Sequence, residues 1–482
     1  MFIETERLWM VVVFAAAFSF EGYIRIQFTK TAGIACAAGG ILLIYALSQK
    51  KTAWMYYTAG LVLMMTGSMY RYNQFQCELA MFLGLALYLF LTLMSVHDKG
   101  ENGVQAADGP DDIDIIPDKK AAMRRLALCV FTAGLVLLLG TGLRQIHKMA
   151  YSSEEWQEYQ EYNLARARLQ DYGMPDYDKY EEEYNALGLD RTAYRLFKKW
   201  TNADSEKITT EVMQNLLTLQ KPTDVFSRKF VNKYFKTILP GILRINTFWV
   251  FAAFVLVWLV EGKKGKKEYL CLLLEILLVM LMYFYFLYLG RFLRNRVDVG
   301  IWMIMAMTVM WMIGGKKSRI PRAACMVFMI AGIAATAFLS RTFLRVNQQA
   351  TMASFEKRRA VVEAIHEDKD HLYLAKTNTI TLAMAYGVWD VIPFGIFENM
   401  YSLGGWGVNT PVNQTLLEKW GVENPMRDMI DNDKIYLVDK DIELTERYLQ
   451  IWYNEKARAV RIKNKKLSPF KVWQIRTDAD KE

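Results

Sequence analysis

The sequence has few of the residues, and none of the short motifs, from which common enzyme sites are built. Its four histidines (His97, His147, His366 and His371) are scattered without the ligand spacing of a zinc site. It contains neither a P-loop, nor a GxSxG nucleophile motif, nor the glycine fingerprint of a dinucleotide-binding fold. The sequence therefore predicts no metal site and no cofactor.

Cysteine is also scarce, and its distribution argues against a disulfide framework. All five cysteines lie inside hydrophobic runs or at their edges, and none lies in the large polar segments. These positions favour burial as small apolar side chains. The cysteines are Cys36, Cys77, Cys129, Cys271 and Cys325.

Charge is missing from long stretches of the chain. The mean hydropathy of +0.07 hides runs of about 18 to 25 residues that are almost free of charge, the length that crosses about 30 Å of hydrocarbon. The runs predict an integral membrane protein. The nine predicted spans are at about 8–28, 31–49, 53–70, 76–96, 123–145, 241–261, 268–290, 297–314 and 322–343.

The net charge of +9 is concentrated in short loops between predicted spans, which indicates membrane orientation rather than binding to nucleic acid. Lysine and arginine cluster in alternate loops, so that all of these loops can face the cytoplasm together. The predicted N-terminus is then cytoplasmic and the C-terminus extracytoplasmic. The basic groups are Lys50 and Lys51, Lys119 to Arg125, Lys263 to Lys267, and Lys316 to Arg322.

The predicted fold class is a mainly α membrane protein. It is a polytopic helical bundle of about nine transmembrane helices, with a helical outer insertion and a small C-terminal α/β extracytoplasmic domain. The predicted parts are 1–145 for spans one to five, with an acidic cytoplasmic loop at 97–122, then 146–238 for the insertion, 239–345 for spans six to nine, and 346–482 for the α/β domain.

The outer insertion is predicted to be helical. Ser152 and Glu155 have the spacing of a capping box, and helical pieces follow at about 176–186, 190–201 and 206–219. Tyrosines recur throughout it. At helical spacing they favour packing between helices, although aromatic faces can also stack on sugar rings.

The C-terminal region is predicted to be a small α/β domain. A helix at 355–367 precedes the strand HLYLAKT (371–377), KIYLVD (434–439) leads into another helix, and ARAVRIK and FKVWQIR form a hairpin. Between them lies 387–411, which is dense in aromatic residues. This loop has the composition of a docking surface or of a segment that rests on the membrane interface.

Arginine lies at each predicted outer connection. The densest group is Arg291, Arg294 and Arg296, and Arg25 and Arg71 lie at the outer ends of spans one and three. A guanidinium binds phosphate with two parallel hydrogen bonds, so this set could hold the phosphate of a lipid-linked donor. The alternative is that the side chains reach the lipid headgroups.

Carboxylates lie on the same predicted side, at Glu21, Glu78 and Asp298. Glycosyl transfer from a lipid phosphate needs a carboxylate that takes the acceptor's proton, and Glu21 and Asp298 are the candidate catalytic residues. Alternatively they pair with Arg25 and Arg296. Glu275 differs, because it lies within span seven, where an ionisable group is costly and marks a partner or a cavity.

Two passages are similar to segments of uncharacterised membrane proteins of Gram-positive bacteria: ALGLDRTAYRLFKKWTNADSEKITTEVMQNL (186–216) and PVNQTLLEKWGVENPMRDMIDNDKIYLVD (411–439). With them, the architecture resembles multi-pass bacterial proteins of surface-polysaccharide assembly, including GT-C-type glycosyltransferases that use lipid-linked sugars. The resemblance implies a catalytic acid in the first outer loop. Here that loop is about residues 21–30 and offers Glu21 alone.

Two hypotheses follow. The first is a multi-pass protein of the bacterial plasma membrane that takes part in cell-surface glycan assembly, with membrane lipids, a polyprenyl-phosphate sugar and a glycan acceptor as partners. The second is a non-catalytic membrane scaffold or receptor whose outer C-terminal domain binds a partner or a glycan. A transporter built around Glu275 is a third and weaker hypothesis.

Overall fold

The structure, a computed structural model, describes residues 8–24, 26–49, 53–101, 119–220, 224–261, 265–289, 295–313, 320–377, 379–380, 385–387 and 390–478. The chain forms two compact units, one of Met1–Ala150 and Thr223–Leu344 and the other of Tyr151–Pro222 and Arg345–Glu482. Helix accounts for 71% of the structure, and the strands all lie in the C-terminal part of the described chain. The mainly α class with a small C-terminal sheet is confirmed.

The helices and strands follow one another as the hydrophobic pattern predicts, with polar segments between them. In chain order the helices are α1 (Leu8–Ser19), α2 (Phe28–Ser48), α3 (Trp54–Tyr70), α4 (Tyr72–Glu101), α5 (Lys119–Ala150), α6 (Glu154–Tyr172), α7 (Glu181–Ala186), α8 (Arg191–Lys198), α9 (Thr210–Thr218), α10 (Arg228–Leu243), α11 (Asn246–Glu261), α12 (Lys266–Tyr288), α13 (Asn295–Ile313), α14 (Arg322–Glu367), α15 (Pro411–Lys419), α16 (Pro425–Asp428) and α17 (Ile442–Trp452). The strands are β1 (Leu372–Ala375), β2 (Met400–Ser402), β3 (Ile435–Val438), β4 (Arg458–Ile462) and β5 (Val472–Arg476).

Apolar helices dominate the first unit. Within the described residues, five helices are long and apolar enough to cross a membrane, or six if one bent pair is a single span. This indicates membrane association. The five stretches are Phe28–Ser48, Ala127–Ala150, Lys266–Tyr288, Arg296–Ile313 and Arg322–Val346. The larger number of nine spans, and their orientation, stay predictions.

The sixth predicted span, 241–261, has a different form. Two helices, α10 and α11, meet there at an angle of 80°. Pro240 lies inside α10 and is followed by Gly241. A proline removes a backbone donor and crowds the preceding turn, and glycine adds backbone freedom, so the helix ends at Leu243 although the apolar sequence continues.

Close backbone contact joins α2 to α3 in the first unit. A Cβ atom on Gly39 would lie 2.7 Å from the carbonyl oxygen of Gly60, and one on Gly60 would lie 2.8 Å from that of Gly39. Both distances are too short for a real side-chain carbon. Glycine therefore lets the two helices approach closely, as small residues do in membrane helix pairs.

The second unit contains a mixed five-stranded sheet in the order β2-β1-β3-β5-β4. Strands β1, β2 and β3 are parallel, whereas β4 and β5 form an antiparallel hairpin, which confirms the predicted hairpin. The sheet is covered on both faces. Leu372 and Leu374 pack in one apolar core with the helices of 151–222, and Tyr373 and Ala375 pack in another with the end of α14.

The predicted insertion and the predicted α/β domain contribute to this one folded unit, since residues from 162–216 and from 372–475 share a single core. The tyrosines behave as packing residues. Tyr162, Tyr177 and Tyr184 are buried in that core. The predicted capping box is wrong: α6 begins after Ser153, which makes no side-chain capping bond.

Asp204 links the two sequence segments of the second unit. It is 3% exposed, and its Oδ2 accepts hydrogen bonds from the hydroxyls of Tyr448 (2.6 Å) and Tyr453 (2.7 Å). Its Oδ1 accepts from the Asn424 amide at 3.1 Å and from the backbone N–H groups of Glu206 and Lys207, both at 3.0 Å. One carboxylate thus has donors from three separate parts of the chain.

Replacing Asp204 with Ala should destabilise the second unit. The change leaves two buried hydroxyls and a buried amide without their acceptor, at a cost of about 3 kcal/mol or more. Hydrogen exchange of the full-length protein should show faster exchange in 204–219 and 424–453. Asp433→Ala is the control, because Asp433 pairs with Arg476 on an exposed surface. Equal exchange in the two variants would contradict the prediction.

The same cluster predicts instability at alkaline pH. Burial, and then the charge of Asp204, raises the pKa of both Tyr448 and Tyr453. Because the folded state holds these protons more tightly than the unfolded state, their contribution to stability is complete below about pH 10 and is lost above it. The Asp204→Ala variant should show a weaker loss of protection over that range.

Candidate functional site

The predicted polar residues of the spans lie at one end of the helices of the first unit. Glu21 is in a π-helical segment, Phe20–Ile24, and Asp298 is in the first turn of α13. Arg71 caps the C-terminus of α3, and Arg296 lies one turn from the start of α13. Arg25, Arg291 and Arg294 lie outside the described residues.

Glu21 forms a buried ion pair with Lys30. The two side chains are 1% and 5% exposed. Lys30 lies in the first turn of α2, where Gln27 caps the helix by accepting hydrogen bonds from the N–H groups of Thr29 and Lys30. The described partner of Glu21 is therefore a lysine from the next helix, which the sequence analysis did not name.

Gln74 joins α4 to α13. Its amide donates to Glu78 Oε1 at 2.6 Å and to the carbonyl oxygen of Val297 at 3.1 Å, and Val297 precedes Asp298 in the chain. Helix α2 meets the same place, since a Cβ atom on Gly33 would lie 3.0 Å from Glu78 Oε1. Gly33 is one turn after Lys30. Three helix ends thus bring buried polar groups together.

Asp298 is 2% exposed and accepts a hydrogen bond from the Tyr283 hydroxyl at 3.0 Å. Arginines flank this end of the unit. Arg71 lies over the Phe28 ring, 5.2 Å from its centroid, and Arg144 lies 4.6 Å from the centroid of Tyr72. We name the buried set the α2–α4–α13 cluster; it consists of Glu21, Lys30, Gln74, Glu78, Tyr283 and Asp298.

The α2–α4–α13 cluster has the groups that proton transfer and phosphate binding require. Its carboxylates can take a proton, and its lysine can bind an anionic oxygen. Metal chemistry has less support: the described residues contain no group of three His, Cys, Asp or Glu side chains that could hold a metal ion.

A second polar group lies in the other unit, where parallel strands β1 and β3 end. Lys376 and Asp439 are fully buried, with Lys376 Nζ 3.1 Å from Asp439 Oδ2 and 3.0 Å from the Thr445 hydroxyl. Burial lowers the pKa of Lys376, and Asp439 opposes that shift. The chain leaves β1 toward β2 on one side and returns to β3 on the other. Ligands of open α/β sheets bind at such a switch point.

Sequence reasoning missed Lys30 and the pair of Lys376 and Asp439. The available signals were a lysine beside an apolar run, and opposite charges directly after two predicted strands. Pairing itself is not visible in the sequence, because Lys376 and Asp439 are 63 positions apart.

Replacing Lys376 with Met should lower the free energy of unfolding of the second unit by about 3 kcal/mol, because Asp439 is left as a buried, uncompensated charge. Amides of β1 and β3 should then exchange about a hundredfold faster, since about 1.4 kcal/mol corresponds to a factor of ten. The double variant Lys376→Met with Asp439→Leu should recover most of the protection. If the single and double variants exchange at the same rate, the pair is not the cause.

Comparison with known proteins identifies no relative. No protein-family model matches the chain, and no curated protein or solved structure matches it with significance. A functional assignment therefore has to come from the residues of this chain and their arrangement.

Proposed function

We propose that this is a membrane protein of bacterial cell-surface glycan assembly that transfers a sugar from a polyprenyl-phosphate donor at the α2–α4–α13 cluster. The single observation that carries the proposal is that buried acids and a buried lysine lie at one end of the apolar helices. Glu21, Lys30 and Asp298 come from three different elements. Glycosyl transfer from a lipid phosphate uses this combination of charges.

The proposed reaction uses the residues in the following way. The acceptor oxygen forms a bond to C1 of the sugar while the bond from C1 to the phosphate oxygen breaks, and the electron pair leaves with the lipid phosphate. Asp298, which Tyr283 holds through its hydroxyl, takes the acceptor's proton. Lys30, positioned by Glu21, and the arginines Arg71 and Arg296 stabilise the departing phosphate. No cofactor takes part.

The proposal also places the protein. The cluster lies at the extracytoplasmic ends of the spans under the orientation given by the basic loops, on the side where lipid-linked sugars are used. Arg25, Arg291 and Arg294 belong to the same predicted lipid-phosphate set. The N-terminus is then cytoplasmic, and the second unit lies outside the plasma membrane.

Asp298→Asn should reduce sugar transfer by about a hundredfold or more, the usual contribution of a general base, while the protein accumulates normally in the membrane. Glu21→Gln should weaken use of the donor by releasing Lys30. The measurements are the sugar composition of the cell-surface glycan and the amount of polyprenyl-phosphate sugar, which should rise. Glu261→Gln is the matched control, a buried glutamate on α11 whose Oε1 accepts the Ile320 N–H.

Unchanged glycan composition in both variants, and in a variant with Arg291, Arg294 and Arg296 all replaced by Gln, would rule out transfer at this cluster. That outcome would leave the scaffold or receptor function.

The scaffold or receptor function has its own support in the second unit. Trp406 is 70% exposed just after β2, and the Tyr159 hydroxyl donates to its carbonyl oxygen at 2.6 Å. An exposed indole held by its backbone can stack on a sugar ring. Trp406→Ala should then abolish retention of the full-length protein on purified cell-surface glycan. Retention equal to that of wild type would exclude this surface.

A further inference from the structure

Three buried glutamates lie along the contact between α4 and α12. Glu78 and Glu275 are 0% exposed, and Glu268 is 1% exposed. A carboxylate is costly inside apolar helices, and where one occurs it marks an ion or proton pathway more often than a structural contact. Glu275 and Glu268 have no part in the proposed sugar transfer, so their burial needs a separate explanation.

The contacts between α4 and α12 order these glutamates into a line. Gly84 of α4 packs against Glu275, where an added Cβ atom would lie 2.3 Å from the glutamate Cγ. Further along α4, the Tyr88 hydroxyl donates to Glu268 Oε1 at 3.4 Å. Residue numbers rise on α4 as they fall on α12, so the two helices are antiparallel. With a rise of about 1.5 Å per residue, Glu78, Glu275 and Glu268 lie at intervals of about 10 Å.

Each carboxylate has one oxygen that accepts no hydrogen bond. Among the described residues, Oε2 of Glu78, Glu275 and Glu268 is buried without a partner. The Oε1 atoms are bonded, to Gln74, Thr308 and Tyr88 respectively. A buried oxygen without a donor is poorly stabilised as part of an anion, but it can carry a proton.

Thr308 can bond Glu275 in either protonation state. Its Oγ1 lies 2.6 Å from Glu275 Oε1 and 3.0 Å from the carbonyl oxygen of Ile304. A hydroxyl has one proton and donates only one of these bonds. When it donates to Ile304, one turn earlier in the helix, the bond to Glu275 requires a protonated glutamate as donor. When Glu275 loses its proton, the hydroxyl can donate to the carboxylate instead.

The spacing favours a proton over a metal cation. A hard cation needs several oxygen ligands at once, and carboxylates about 10 Å apart cannot provide them. A proton needs only one carboxylate at a time. The Tyr88 hydroxyl, bonded to Glu268, shortens the gap toward Glu275.

We propose that Glu78, Glu275 and Glu268 form a proton pathway through the first unit, with Glu275 as its central carrier. A proton taken up by one carboxylate oxygen is passed to the next carrier, so that one proton crosses and no electron moves. The titratable groups around the line are Cys36 on α2, Cys77 on α4, and Cys271 and Lys267 on α12. Helix α13 contributes the Thr308 hydroxyl beside Glu275.

The test is proton flux through the full-length protein in liposomes that contain a pH-sensitive dye, driven by a potassium diffusion potential. Wild type should acidify or alkalinise the lumen faster than protein-free vesicles. Glu275→Gln should reduce the flux to that of protein-free vesicles, because the amide cannot exchange a proton although it still bonds Thr308. Glu261→Gln should conduct like wild type.

Flux of wild type equal to that of protein-free vesicles, or flux of Glu275→Gln equal to that of wild type, would overturn the proposal. Uptake of radioactive sodium that depends on Glu275, with no proton flux, would also overturn it.

A second measurement does not depend on how well the variant folds. The infrared spectrum of the wild-type protein at neutral pH should contain the carbonyl absorption of a protonated carboxylic acid, and Glu275→Gln should weaken it. Absence of that absorption in wild type contradicts a protonated central carrier. Sugar transfer is measured separately, so failure of either proposal leaves the other intact.

Discussion

A polar group that leaves water must find its partner inside the protein, and this constraint governs both units of the molecule. In the second unit the constraint is met completely at Asp204, where both oxygens accept from buried donors. It is met again where Lys376, Asp439 and Thr445 bond one another without solvent. These contacts hold together segments that are far apart in sequence.

The first unit meets the same constraint only in part. Glu21 has Lys30 as its partner, and Asp298 has the Tyr283 hydroxyl. Glu78 and Glu275 each keep one oxygen that accepts no hydrogen bond among the described residues. A fully bonded carboxylate such as Asp204 gains nothing from changing its protonation state, whereas a half-bonded one can take up a proton without losing a partner. This difference separates structural acids from those that we expect to do chemistry.

The sequence predicted what depends on local pattern. Charge-free runs located the apolar helices, and alternating or continuous apolar residues located β1, β3 and the hairpin of β4 and β5. It did not predict the bend at Leu243, because Pro240 and Gly241 stand in an otherwise uninterrupted apolar run. It did not predict that Glu21 bonds Lys30 rather than Arg25, since that choice depends on how the π-helical segment turns the side chain toward α2. Partners 63 positions apart, such as Lys376 and Asp439, are set by strand order and not by any local signal.

The position of Asp204 has a consequence for how the protein is made. Tyr448, one of its donors, is 244 residues later in the chain. A ribosome adds about 5 to 20 residues each second, so about 10 to 50 s pass between synthesis of the carboxylate and of its donor. During that time helices α10 to α14 emerge and residues 151–222 lack the strands on which their core is completed. This segment must therefore wait, partly folded and with apolar side chains unprotected, which makes it the part of the nascent chain with the greatest need of a chaperone.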